Sequence, residues 1–164
     1  MFLDSLIFHF QNGLRGNLWL TDVFGGFLAK YSGYFLLALF CALVFGRLRN
    51  IRRRIFVFLV WGLSAVLSRG LITETIRFFY SRPRPLSGDD AFPSGHMAFY
   101  VPLVLTVYFF LGRKWGLFFG AVVGLMGIAR VFIGFHWPTD ILGGAAVGAL
   151  GYYLSYLILK KHKV

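Results

Sequence analysis

Long apolar runs, broken by short polar or basic segments, dominate the chain from end to end. Residues 2–14 are different: Phe2, Leu3, Leu6, Ile7 and Phe10 recur at helical spacing while Asp4, His9, Gln11 and Asn12 fall off that stripe. That pattern predicts an amphipathic helix lying in a membrane interface, with residues 1–28 forming an interfacial N-terminal segment. After a Gly-rich stretch, apolar runs predict helices at about 31–46, 55–79, 97–112, 115–133 and 139–159. A membrane-crossing helix takes about 20 largely apolar residues, so each run is read as a span. The predicted fold is an all-α membrane protein, a bundle of about five transmembrane helices over 31–159.

Composition agrees with that pattern. With 58% of residues hydrophobic and 14% charged, the chain is too apolar for an ordinary soluble domain. Its 164 residues leave no room for a separate soluble unit, so a single membrane-embedded domain over 1–164 is expected. Met1 to Gly13 carries an early Asp4, no basic leading region and no small-residue cleavage pattern, so no cleaved signal peptide is expected.

The net charge of +11 would suggest nucleic acid in a soluble protein, but here it has a different reading, with membrane lipids as partners and no nucleic acid. Arg47, Arg49, Arg52, Arg53 and Arg54, then Arg113 and Lys114, then Lys160, Lys161 and Lys163 all fall on one face of a five-span arrangement. The positive-inside rule makes that face cytoplasmic. The loops at 80–96 and 130–138 then lie together on the extracytoplasmic face.

Several residues have structural readings. Cys41 sits in an apolar run without a nearby basic group, as a small apolar side chain. His9 and His162 are read as interfacial polar residues, and the phenylalanines as lipid-facing and packing groups. Gly120 with Gly124, and Gly144 with Gly148, have the spacing that lets membrane helices approach closely.

Candidate chemistry is concentrated in three segments: Arg77 to Pro85, Pro93-Ser94-Gly95-His96, and Arg130 to Asp140. The single Asp140 cannot neutralise Arg77, Arg84 and Arg130 in an apolar setting, so the missing counter-charge is read as an oxyanion. Guanidinium forks match phosphate oxygens and stabilise charge spread during phosphoryl transfer. Ser94 at the start of one helix and Pro138 at the start of another would direct two sets of free N–H groups to the same place. His136 and Asp140 are four residues apart, so the carboxylate can orient the ring and leave its other nitrogen as a nucleophile. His96 is then the general acid. No ligand cluster suggests a metal or cofactor, and none is expected. Arg82 is read equally as a headgroup or a substrate contact. Arg69, Thr73 and Arg77 share one helix face, with Glu74 beside them. Either they form an internal ion pair or they line the substrate cavity.

These segments resemble the signature of the type 2 phosphatidic acid phosphatase family, Lys-x6-Arg-Pro, Pro-Ser-Gly-His and Ser-Arg-x5-His-x3-Asp. The chain has Arg77-x6-Arg84-Pro85, Pro93 to His96, and Ala129-Arg130-x5-His136-x3-Asp140. It departs from the pattern at Arg77, where the family usually has Lys, and at Ala129, where it usually has Ser. The resemblance implies a metal-independent lipid phosphatase or diphosphatase acting through a phosphohistidine. His136 would attack, Asp140 orient it and His96 protonate the leaving group, with Arg77, Arg84, Ser94, Gly95 and Arg130 holding phosphate. Undecaprenyl diphosphate in a bacterial plasma membrane is the expected substrate, with phosphatidylglycerophosphate, phosphatidic acid and lipid A phosphatases as rivals. From a different class, an anion channel or transporter would also use arginines, but would not require the His136–Asp140 spacing opposite Pro-Ser-Gly-His.

Overall fold

The computed structural model describes Asp4, residues 19–86 and residues 90–160. Five helices account for most of it: α1 (Trp19–Arg47), α2 (Ile51–Phe79), α3 (Gly95–Phe110), α4 (Arg113–Phe132) and α5 (Pro138–Leu159). No strand is present among the described residues, and the loop after α2 contains one isolated bridge, Pro83 to Asp90. The expected interfacial helix over 2–14 lies outside the described residues, except for Asp4. The first helix is already formed at Trp19, where the described residues resume, ahead of the expected start near residue 31, so Gly25 and Gly26 are helical.

Four helices, Gly25–Arg47, Ile51–Phe79, Arg113–Phe132 and Pro138–Leu159, are long and apolar enough to cross a membrane, and α3 is a shorter apolar helix of 16 residues. The chain is a multi-pass membrane protein. Helix α3 is central and packs against α5, α4 and α2. Met97, Leu103 and Val107 of α3 meet Leu36, Phe40 and Val44 of α1, Val57 of α2 and Phe119, Val123 and Met126 of α4, all buried. The two glycine pairs differ in use. A Cβ on Gly148 would lie 2.9 Å from Val101 Cβ, and one on Gly144 would strike the Ser94 carbonyl and Met97, so this pair lets α5 approach α3. Gly124 has nothing within 4 Å, and Gly120 meets only Val104 at 3.6 Å.

Pro102 lies inside α3 and has no N–H to give the Ala98 carbonyl one turn back. The Ser68 hydroxyl of α2 takes that place, 2.6 Å from Ala98 O and 2.6 Å from Ser64 O. Residues Val66–Ile72 of α2 are wound as a π-helix around this anchor, and Thr73 Oγ1 donates to Ser68 O at 2.8 Å. Such one-residue insertions unwind the helix locally and shift the side chains before and after them onto different faces, and they recur at functional sites.

The connections alternate between two ends of the bundle. At one end Arg47 Nη1 lies 3.4 Å from Leu111 O and its guanidinium covers the Trp115 ring at 5.5 Å, gathering the basic segments after α1 and before α4. Gly112, at φ +119°, turns the chain between α3 and α4 in a conformation that L side chains rarely adopt. At the other end Ser94 N donates to Asp140 O at 2.9 Å and Ala91 N to Arg82 O at 2.7 Å, bringing together the two segments that carry the candidate chemistry.

Candidate active site

Each motif spacing has a local structural cause. Helix α4 closes with Gly134 at φ +77°, Phe135 N donating to Arg130 O at 2.9 Å and Gly134 N to Val131 O at 3.0 Å. This is the left-handed glycine closure of a helix, and it ties the backbone before His136 to Arg130. Helix α5 then opens with Pro138 in its first turn, and Asp140 Oδ2 accepts from Trp137 N at 2.7 Å. A carboxylate at this place satisfies an otherwise unpaired N–H and suits the positive end of the helix dipole. Six and four residues, respectively, therefore separate His136 from a cation in the last turn of one helix and an anion in the first turn of the next.

Arg77, Arg84, Gly95, His96, Arg130 and His136 line one cavity of about 260 Å³, together with Arg69 and the rings of Phe99 and Tyr100. Arg77 Nη2 donates to Pro93 O at 3.0 Å, joining α2 to the Pro-Ser-Gly-His segment. Arg130 Nη1 lies 3.3 Å from Ala29 O of α1, and its guanidinium is 5.5 Å from the Phe135 ring. Ser94 occupies the N-cap position of α3, but its hydroxyl makes no cap hydrogen bond. Ser94 Oγ, Arg77 Nε and Arg130 Nε are buried without a hydrogen-bond partner among the described residues.

The contacts of His136 and Asp140 differ from those expected. His136 Nδ1 is 3.0 Å from the Ala91 carbonyl and 3.6 Å from Asp140 Oδ2. The backbone oxygen is thus the acceptor that sets the tautomer, and the carboxylate acts on the ring by charge from just outside hydrogen-bond range. Asp140 is fully buried and committed elsewhere, to Trp137 N and to Arg82 Nη1 at 3.0 Å. Burial, opposed by the Asp140 carboxylate, holds the His136 pKa below 6.5, and the nearby Arg130 acts in the same direction as burial. The imidazole is accordingly neutral near pH 7.

Arg82 does not line the cationic cavity. Its guanidinium lies 5.3 Å from the Trp137 ring and donates to Thr139 Oγ1 at 2.7 Å, Asp140 Oδ1 at 3.0 Å and Asp4 Oδ2 at 2.8 Å. Asp4 also accepts from Thr139 N at 3.2 Å and from its hydroxyl at 2.9 Å. Burial raises the Asp4 pKa, but the bonds from Arg82 and Thr139 outweigh it and leave the carboxyl below 3.8. The N-terminal residue Asp4 thus supports the start of α5 from behind. Only proximity in space reveals this, since 78 residues separate Asp4 from Arg82.

A second cavity, about 820 Å³, shares His96 and Arg130 with the first and runs along α1 beside Val23, Phe27, Tyr31 and Tyr34. Arg69 and Glu74 form an ion pair at the edge of the cationic cavity, and Arg77 Nη1 is 3.6 Å from the same carboxylate.

This arrangement has known relatives. The chain is 30% identical over 152 residues to phosphatidylglycerophosphatase B of Bacillus subtilis, covering 83% of this chain and 73% of that protein. It is 27% identical over 140 residues to the undecaprenyl-diphosphatase of Sulfolobus acidocaldarius, covering 80% of this chain and 68% of the relative. The crystal structure of Aquifex aeolicus LpxE superposes with a TM-score of 0.70 at 24% identity, over 94% of this chain and 95% of that one. The PAP2 superfamily model matches residues 71–163, which hold all three motifs. The chain therefore belongs to the PAP2 superfamily and is a membrane enzyme of its lipid phosphatase class.

Proposed function

We propose that this protein removes the terminal phosphate of a long-chain lipid diphosphate, undecaprenyl diphosphate by preference, without a metal. The observation that carries the reading is the junction of two cavities at His96 and Arg130, one lined by cations and histidines and the other largely by apolar side chains. A phosphate fits the first and a hydrocarbon chain the second. Arg77, Arg84 and Arg130, with Ser94 and Gly95, hold the terminal phosphoryl group, and the buried Arg77 Nε, Arg130 Nε and Ser94 Oγ have donors to give it.

With Nδ1 engaged by Ala91 O, His136 attacks through Nε2. Its bond to the terminal phosphorus forms as the bond to the bridging oxygen breaks. That oxygen keeps the electron pair and receives a proton from His96, which then takes a proton from the water that hydrolyses the phosphohistidine. Asp140 stabilises the charge that develops on the ring. Three guanidiniums supply the positive charge that a metal supplies in other phosphoryl-transfer sites.

The basic segments at the far end of the bundle support a plasma-membrane orientation with the site on the extracytoplasmic side. The test is phosphate release by purified protein in EDTA, comparing undecaprenyl diphosphate, phosphatidylglycerophosphate, phosphatidic acid and lipid A by kcat/KM. Undecaprenyl diphosphate should lead, with activity unaffected by chelator. A requirement for added magnesium would remove the mechanism, and a lead for phosphatidylglycerophosphate would move the substrate toward that of the Bacillus relative.

A further inference from the structure

Arg69 belongs to none of the family motifs, yet it lines the cationic cavity beside His96. Its position is built in. Pro102 leaves the Ala98 carbonyl without its helical donor, Ser68 fills that place, and the π-wound turn around Ser68 carries the next residue, Arg69, toward the start of α3. Ser68 is fully buried, and a Cβ on Gly151 of α5 would lie 2.7 Å from Ser68 Cβ, so the anchor is closely held on two sides. Gly95 completes the seat: a Cβ there would lie 2.5 Å from Arg69 Nε and 2.9 Å from its Cδ.

The ion pair with Glu74 does not account for this placement. The two side chains are 40% and 51% exposed, and a pair that open contributes little to stability. Glu74 is shared with Arg77 as well, which leaves Arg69 with an exchangeable partner rather than a fixed one.

From this geometry we infer that Arg69 is a specificity-determining residue that binds the lipid-side phosphate of a diphosphate substrate. The inference rests on the diphosphatase reading above. In a monophosphate ester the group that leaves is an alkoxide, whose main need is the proton from His96. In a diphosphate the bridging oxygen leaves as part of a lipid phosphate, and the oxygens of that phosphate carry charge before, during and after the bond breaks. Arg77, Arg84 and Arg130 are the motif cations for the terminal phosphoryl group. Arg69, next to the proton donor at the start of α3, is a further cation of the same cavity that can reach the second phosphate, whereas Lys30 lines the second, largely apolar cavity. A guanidinium fork suits two of its oxygens, and Glu74 holds the fork when no phosphate is present.

The experiment compares farnesyl diphosphate with farnesyl phosphate in detergent, for the wild type, Arg69→Met and Arg69→Lys. Arg69→Met should lose about 100-fold in kcat/KM toward the diphosphate, of the size expected for one charge-assisted contact, and no more than about threefold toward the monophosphate. Arg69→Lys should recover part of the diphosphate loss by restoring charge. Inorganic pyrophosphate should inhibit the wild type more strongly than phosphate does, and Arg69→Met should narrow that difference. Equal losses toward both substrates, including loss of both, would overturn the assignment, as would a diphosphate preference that survives Arg69→Met. If the wild-type protein turns over neither compound, the diphosphatase reading fails instead.

Discussion

His136 shows how much of a catalytic arrangement a backbone group can carry. If the Asp140 carboxylate alone fixed the ring, replacing it with an amide would invite the wrong tautomer, a fault that costs about 10⁴-fold in comparable triads. Here the Ala91 carbonyl fixes the tautomer and Asp140 stands 3.6 Å off. Asp140→Asn should therefore keep the tautomer of the ring and lose about 100-fold in kcat through the missing charge, while its single amide oxygen can accept from Trp137 N or from Arg82 Nη1 but not from both, so a lower Tm should accompany the loss. His136→Ala should abolish turnover. A loss of four orders of magnitude in Asp140→Asn would return the orienting role to the carboxylate, and near-normal kcat in His136→Ala would exclude it as nucleophile. The sequence shows His136, His96 and the three motif arginines because side chains carry their chemistry in their identity. It does not show the Ala91 acceptor, because every residue has the same carbonyl, nor the link from Arg82 to Asp4, because nothing local connects them.

Among the elements, the helices follow from apolar length, and their irregularities do not. The runs at 55–79, 115–133 and 139–159 correspond closely to α2, α4 and α5. The π-wound turn inside α2 escapes any reading by period, because the carbonyl its Ser68 engages is one left open by a proline in a different helix. The glycine spacings illustrate the same limit: two identical patterns exist, and only the α5 pair brings helices together. Gly144→Ala would place a methyl group against the Ser94 backbone next to the catalytic histidine, forcing α3 and α5 apart at a cost of about 1–3 kcal/mol. A melting curve in detergent should show a lower Tm together with reduced activity. Gly124→Ala meets nothing within 4 Å and should leave Tm the same or slightly higher. The opposite ranking would mean that α4, and not α5, makes the tight contact.

For the whole molecule, the basic segments and the site lie at opposite ends, which makes orientation testable with two cysteines. In a Cys41→Ala background, a membrane-impermeant thiol reagent added to intact cells should modify Ser81→Cys and spare Arg52→Cys. Both positions are exposed, so the contrast reports sidedness rather than burial. The reverse pattern would place the substrate in the inner leaflet. The shortness of α3 has a further consequence for the bilayer around the protein. Sixteen residues span about 24 Å, against about 30 Å of hydrocarbon, and α3 reaches the basic end where Leu111 meets Arg47. With α3 upright and its Leu111 end taken at one hydrocarbon boundary, the end carrying His96 would lie about 6 Å beneath the other. A phosphate would then descend from the headgroup layer to react, to a depth set by acyl chain length in the host membrane. Reconstituted into phosphatidylcholines of increasing chain length, the enzyme should show rising KM with kcat little changed, making lipid thickness a regulator of turnover at low substrate. A KM indifferent to thickness would mean that the protein thins the bilayer around itself.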